Sequence, residues 1–205
     1  MTTVYCIGRN YQEHAKELGN APLAVSENPL VFLKSESTIR GLSPSPMAFA
    51  NEVFHHEVEL VFRLGKKIDS DNKGPLVSFL DGVTLGLDLT RRDEQSLLKA
   101  KGHPWTTAKS FLGSAVLAEW LPITPDMSLE SLEFSLKVNN EIRQHGHSKD
   151  MTFTVEHILR YLSRWNQLQK GDLIFTGTPA GVGPIKVGDR FNLELHGRES
   201  WNGVL

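Results

Sequence analysis

The chain has 205 residues, 22% of them charged and 40% hydrophobic, with a formal net charge of −2. That is the balance of a single ordinary globular domain, and it gives no reason to expect nucleic acid or an anionic membrane surface as a partner. No apolar run approaches the roughly 20 residues needed to span a bilayer. The single cysteine, Cys6, excludes an intrachain disulfide and a multi-cysteine zinc site, and with no room for a signal peptide before the first strand-like segment the expectation is a cytoplasmic protein.

In chain order, Val4 to Ile7 reads as a short buried strand, followed by a helix from about Tyr11 to Leu18. Asn10 with Glu13 three residues later resembles a capping box, and Gly19-Asn20 closes the helix. Pro29 to Lys34 reads as a strand, and residues 35–46, rich in Ser, Gly and Pro, as a loop. Glu57 to Leu64 and Val83 to Leu89 are apolar strands with acids in or near them. Arg91 to Ala100 has helical spacing. Glu133 to Val138 and Glu141 to His145 flank the turn signal Asn139-Asn140 and predict a hairpin. Thr154 to Trp165 sets Ile158, Leu159 and Leu162 on one helical face. Leu173 to Thr176 is a strand entering a Gly/Pro loop, and Arg190 to His196 is read as the last strand. Short strands outnumber helices and do not alternate with them, which predicts a mostly-β, α+β architecture in one domain covering 1–205.

The residues that carry chemistry centre on Glu57 and Glu59. Side chains two apart on a strand share a face, and two carboxylates side by side in an apolar run need a positive partner. A pair of this kind is, taken alone, more often a solvated face. Asp88, at the end of a strand too apolar for the surface, adds a third acid and makes a Mg²⁺ or Mn²⁺ shell of oxygen ligands reasonable. His55 and His56 have no second histidine or cysteine at zinc-motif spacing and read as supporting residues. His14 and Glu17, three apart on the first helix, fit either a surface pair or a base with its orienting carboxylate. Arg92 and Gln95, three apart after Asp88, fit either a solvated helix or a grip on a substrate carboxylate. Lys109 lies in a weakly polar stretch and could stabilise developing negative charge. The Gly177-Thr178-Pro179 turn lacks the Gly-Lys-Ser/Thr of a P-loop and fits a substrate-contacting loop better.

Together these segments resemble the fumarylacetoacetate hydrolase family, in particular its short acylpyruvase-like members. The resemblance rests on Gly8-Arg9-Asn10-Tyr11 with His14 and Glu17, Phe32-Leu33-Lys34, His56-Glu57-Val58-Glu59-Leu60 and Asp88-Leu89-Thr90-Arg91-Arg92-Asp93. It continues through Pro104-Trp105, Lys109-Ser110-Phe111, Leu136-Lys137-Val138-Asn139, and Gly171-Asp172-Leu173-Ile174 into Thr176-Gly177-Thr178-Pro179-Ala180-Gly181-Val182-Gly183-Pro184. It implies a mixed β-roll or sandwich with short peripheral helices, usually dimeric. By matching, the metal ligands fall on Glu57, Glu59 and Asp88 and the catalytic positions on His14, Glu17 and Lys109, with residues 8–18 forming a lid helix. The substrate-holding positions fall on Arg92, Gln95 and Thr178, and Arg9 is grouped with them. The implied activity is hydrolysis of the C–C bond of 2,4-dioxo acids such as acylpyruvates, in aromatic catabolism. Oxaloacetate decarboxylation, keto–enol tautomerisation and isomerisation are alternatives that share the same residues. A non-catalytic oxo-acid-binding module and a purely structural metal site are the competing readings from other classes. The final strand is expected to run further than Trp201 to Leu205 allows.

Overall fold

The computed structural model describes residues 2–43 and 52–205. In chain order the elements are β1 (Val4–Gly8), α1 (Gln12–Glu17), β2 (Leu30–Lys34), β3 (Ile39–Gly41), β4 (Val53–His56), β5 (Val58–Leu64), β6 (Leu80–Asp88), α2 (Arg92–Ala100) and α3 (Thr106–Lys109). There follow β7 (Ala115–Leu117), β8 (Leu121–Pro122), β9 (Glu133–Val138), β10 (Glu141–His147), α4 (Val155–Leu162), β11 (Leu173–Phe175), β12 (Gly183–Lys186), β13 (Arg190–Leu195) and β14 (Glu199–Val204). The expected 35–46 loop contains a 3₁₀ turn at Glu36–Thr38 and the short strand β3; its part from residue 44 onward lies outside the described residues.

The central sheet runs β2-β1-β11-β5-β6-β7-β3, with β8 added alongside β6. A second sheet, β10-β9-β13-β14, and the ribbon β12-β4 complete the β structure of the described residues. The apolar run of β5 reflects burial on both faces, the condition under which alternation disappears from a strand. Leu60, Phe62 and Leu64 join a large core with Phe134, Leu136 and Leu193 of the second sheet. Val61 points the other way, into a smaller cluster with Val4, Cys6 and Phe175. This is the mostly-β, α+β architecture expected, a curled sheet with few short helices.

Local rules account for several elements. Thr154 caps α4 by accepting the His157 backbone N–H at 3.2 Å, satisfying one of the free donors of a helix start. Asn139 and Asn140 both take left-handed φ values, 51° and 70°, which gives the β9–β10 hairpin the twist its strands require.

Two expectations are corrected. Asn10 does not cap α1, whose N-cap is Tyr11 without a side-chain bond. Its amide instead donates to the carbonyls of Phe153 (3.0 Å) and Thr176 (2.7 Å) and accepts the Phe153 N–H at 2.7 Å. A fully buried side chain that can bridge three backbone groups is better satisfied that way than at an exposed helix start. Nor is β13 the last strand: β14 pairs with it over six positions, from Arg190 opposite Val204 to Leu195 opposite Glu199.

Candidate active site

Strand register assembles the three acids. Glu57 occupies the one-residue break between β4 and β5, and its carbonyl accepts the Asp88 N–H at 2.9 Å. Glu59 lies two residues along β5, opposite Gly86 of β6. The carboxylates of Glu57, Glu59 and Asp88 therefore converge, with ligand oxygens all within 4.8 Å of one another, and none is more than 5% exposed.

Cations partner two of the three. Lys109, in α3, donates to Glu57 Oε2 and Asp88 Oδ2, both at 2.7 Å, and to the Thr90 hydroxyl at 2.6 Å. Arg92 Nη2 donates to Glu57 Oε1, while its Nη1 donates to Gln95 Oε1 at 2.6 Å. Lys34, at the end of β2, is completely buried and pairs with Asp88 Oδ1 at 2.7 Å. It also donates to the Lys109 carbonyl and to the Ser114 hydroxyl at 3.0 Å. Glu59 has no ion pair among the described residues, and its Oε2 accepts the Gly177 N–H at 2.7 Å. Gly177 sits at φ +97°, and a Cβ there would stand 2.7 Å from that of Asn10, so only glycine brings this N–H to the carboxylate.

The electrostatics follow this pairing. Burial works to raise the Glu57 pKa, but Lys109 and Arg92 outweigh it and hold the group well below the usual carboxylate range. Burial likewise opposes the Lys109 charge, and Asp88 and Glu57 overcome it, leaving its pKa raised. Glu59 goes the other way: burial first, then Asp88 and Glu57, push its pKa well up. A buried cluster of three oxygen-donor side chains, one of them short of a counter-charge, fits a hard divalent cation such as Mg²⁺ or Mn²⁺.

The dyad sits across the cavity. His14 Nδ1 lies 3.3 Å from Glu17 Oε2, and Glu17 is itself anchored by the Gly181 N–H at 3.0 and 3.2 Å. With Nδ1–H given to Glu17, the imidazole keeps its Nε2 lone pair for a proton. His14 is 6% exposed and lines a cavity of about 60 Å³ together with the three acids, Arg92 and Lys109. Because Gln95 Oε1 accepts from Arg92, its NH₂ remains to donate, and the buried Arg92 Nε has no hydrogen-bond partner among the described residues. Arg92 and Gln95 thus stand side by side in the cavity wall, a cation and an amide donor suited to a carboxylate.

All the sequence-predicted site residues except Glu17 line this cavity, Arg9, Gln95 and Thr178 included; Glu17 reaches it through His14. Thr178 turns its hydroxyl away, donating to the Val58 carbonyl at 2.8 Å and accepting from Gln144 at 2.7 Å. His56 Nδ1 also meets Gln144, at 2.9 Å, in keeping with a supporting role. Lys34, Gln144 and Lys99 went unassigned. Lys34 carried one legible signal, a lysine closing the apolar run Leu30-Val31-Phe32-Leu33; Gln144, on a different sheet, carried none.

Comparison with known proteins agrees with this geometry. Residues 3–202 match the model of the fumarylacetoacetate (FAA) hydrolase C-terminal domain. The chain belongs to the fumarylacetoacetate hydrolase family. The mitochondrial oxaloacetate tautomerase of Mus musculus is 40% identical over 197 residues, covering 95% of this chain and 87% of that one. The mitochondrial oxaloacetate decarboxylase of Dictyostelium discoideum is 37% identical over 199 residues, covering 96% and 90%. The fumarylpyruvate hydrolase of Pseudomonas aeruginosa, solved with Mn²⁺ and pyruvate, superposes with a TM-score of 0.91 at 32% identity, covering 100% of this chain and 89% of that one. Members of the fumarylacetoacetate hydrolase family are enzymes, and this chain carries the acidic cluster able to hold a divalent ion. The two mitochondrial relatives lend no support to the cytoplasmic expectation. No helix among the described residues is long and apolar enough to cross a membrane.

Proposed function

We propose that this protein interconverts the keto and enol forms of a short 2-oxo acid of the oxaloacetate type. The observation that carries the reading is the convergence of a positioned base, His14, and a cationic Lys109 on one small cavity walled by three buried carboxylates. The two mitochondrial relatives named for oxaloacetate chemistry support the choice of substrate class.

The Arg92 charge and the Gln95 amide meet the C1 carboxylate and fix the acid in the cavity. His14, oriented by Glu17, takes a proton from C3 as the C2 oxygen gains negative charge. Lys109 faces that charge with an ammonium that its neighbours keep protonated. The proton taken from C3 reaches the C2 oxygen, directly or through solvent, giving the enol; the reverse sequence gives the keto form. Glu57, Glu59 and Asp88 would hold Mg²⁺ or Mn²⁺, which when bound supplies a Lewis acid for enolate charge.

Hydrolysis of 2,4-dioxo acids is the second reading, favoured by the anchored His14–Glu17 dyad. There His14 takes a proton from water as it attacks C4, the C3–C4 bond breaks, and the imidazolium returns the proton to C3 of the pyruvate enolate. The protein would act as a homodimer, with a small oxo acid as its partner.

A turnover panel tests both readings: enol–keto interconversion of oxaloacetate, and cleavage of acetylpyruvate and fumarylpyruvate, each with EDTA and with added Mg²⁺ or Mn²⁺. Metal-dependent acceleration of oxaloacetate tautomerisation is expected. Cleavage without tautomerisation would favour the second reading, and no acceleration of any oxo acid would overturn both.

A further inference from the structure

The cavity has more positive charge at its mouth than its floor can use. Inside, Glu57 and Asp88 are matched by Lys34, Lys109 and Arg92. Two further cations line the same cavity, Arg9 and Lys99, and neither has a carboxylate partner among the described residues. Arg9 follows β1 in a left-handed conformation, φ 58°, a backbone state that costs free energy outside glycine. Lys99 stands on the same face of α2 as Arg92 and Gln95, at positions i, i+3 and i+7. It lies two turns, about 10 Å, beyond Arg92, and helical side chains lean back toward the N-terminus, here toward the cavity. Its ammonium donates to the Asn20 side-chain carbonyl, also a cavity residue. Slight burial, then repulsion from Arg9 and Arg92, lowers the Lys99 pKa, so the three cations feel one another.

We propose that Arg9 and Lys99 form a second anion subsite at the cavity mouth, which selects 2-oxo acids carrying a distal carboxylate over monocarboxylic ones. The inference rests on the oxo-acid reading above and narrows it. With the C1 carboxylate held at Arg92 and Gln95, the far end of a four-carbon diacid is directed toward the mouth, where two cations without a carboxylate partner among the described residues meet it. A monoacid places a methyl group there, against two cations that then have nothing to neutralise them.

The test uses two unreactive acids that differ only at that end: malate, and 2-hydroxybutyrate, in which a methyl replaces the distal carboxylate. Binding to the Mn²⁺-loaded protein is measured by calorimetry at low and high salt, alongside oxaloacetate turnover. Malate is expected to bind about tenfold tighter, an advantage that shrinks as salt rises. Lys99→Met and Arg9→Gln should each cut the ratio about three- to tenfold while leaving 2-hydroxybutyrate within about twofold, and Lys99→Glu should bring it near one. Lys99 is exposed, so its variants fold if Arg9→Gln does not. Equal binding of the two acids by the parent protein, or equal weakening of both in the variants, overturns the subsite while oxaloacetate turnover still upholds the broader reading. If neither acid binds and oxaloacetate is not turned over, the oxo-acid reading fails and the subsite with it.

Discussion

Replacing Glu59 by glutamine should stabilise the metal-free protein while removing its response to metal. The carboxylate oxygens of the cluster lie within 4.8 Å of one another, so each ionised pair repels by about 3 kcal/mol at an effective dielectric constant near 20. Lys109 between Glu57 and Asp88, together with the Gly177 N–H on Glu59, offsets part of this and leaves a net cost of roughly 1–3 kcal/mol. Glutamine keeps the shape and can still accept the Gly177 N–H, but carries no charge. In EDTA at pH 8, Glu59→Gln should melt about 2–10 °C above the parent. The sign reverses with metal: at a hundredfold excess over Kd an ion stabilises by about 2.7 kcal/mol, and the variant should lose most of that gain. The pH dependence is separable. The Glu59 pKa is raised in the folded state, so folded protein binds more protons than unfolded, and metal-free stability falls as pH rises above the unfolded value near 4.5. Glu57, with its pKa lowered, acts oppositely and only below that value, where its contribution is lost as pH falls. Differential scanning fluorimetry in EDTA and in Mn²⁺ from about pH 3.5 to 8.5 reads all of this. A Glu59→Gln protein that melts lower than the parent in EDTA at pH 8, or keeps the full metal-induced shift, would refute the reasoning.

His14→Ala should lower turnover of the oxo-acid substrate by about 10²–10⁴-fold while leaving the Mn²⁺-induced melting shift intact; undiminished turnover would remove His14 from the mechanism. Lys34→Met strips a buried ammonium from Asp88, and chemical denaturation in EDTA should show a loss of about 3–5 kcal/mol. Added Mn²⁺ should recover part of that loss by supplying Asp88 with another cation, so equal losses with and without metal would show that the Lys34–Asp88 pair is not what the substitution broke.

What the sequence revealed was what local spacing controls. Glu57 and Glu59 two apart, His14 and Glu17 three apart, and Arg92 and Gln95 three apart meet because strands and helices have fixed periods. The structure keeps each pair together, although Glu57 sits one residue outside β5. The partners that came from far along the chain were hidden. Lys34 reaches Asp88 only because β2 and β6 belong to one curled sheet. Gln144 joins His56, Val58 and Thr178 from the second sheet. Asn10 had a plausible local bond as a cap and was drawn instead to backbone groups more than 140 residues away. In each case a buried polar group took the partner that tertiary packing offered, and no periodicity encodes that choice. Strand β14 did not show in the residue pattern, although the family resemblance placed a final strand near Trp201, for a related reason: its exposed residues alternate with only two buried ones, Trp201 and Gly203, a weak apolar signal that pairing with β13 makes sufficient.

The uneven pairing of the acids explains how one nest can be both stable and receptive. Were all three carboxylates fully matched by cations, a divalent ion would have to displace those partners to enter. Were none matched, three buried charges would cost more than a domain of this size can offset. The chain pairs Asp88 on both oxygens and Glu57 on both oxygens, and among the described residues leaves Glu59 without a cation, its carboxylate accepting the Gly177 N–H. The paired acids stay ionised and fixed in place, so two ligands are already oriented. The unpaired one concentrates the electrostatic cost at a single position, and relieving that cost is what an arriving ion contributes. Lys109 belongs to both states: bound to Glu57 and Asp88 it steadies the acids, and it also lines the cavity, where in the proposed reaction its charge would face the substrate. The same residue that holds the cluster together without metal is therefore the one placed to meet the enolate of the proposed reaction, so a substitution at Lys109 should change stability and turnover together, whereas one at Glu59 should raise metal-free stability at the expense of metal binding.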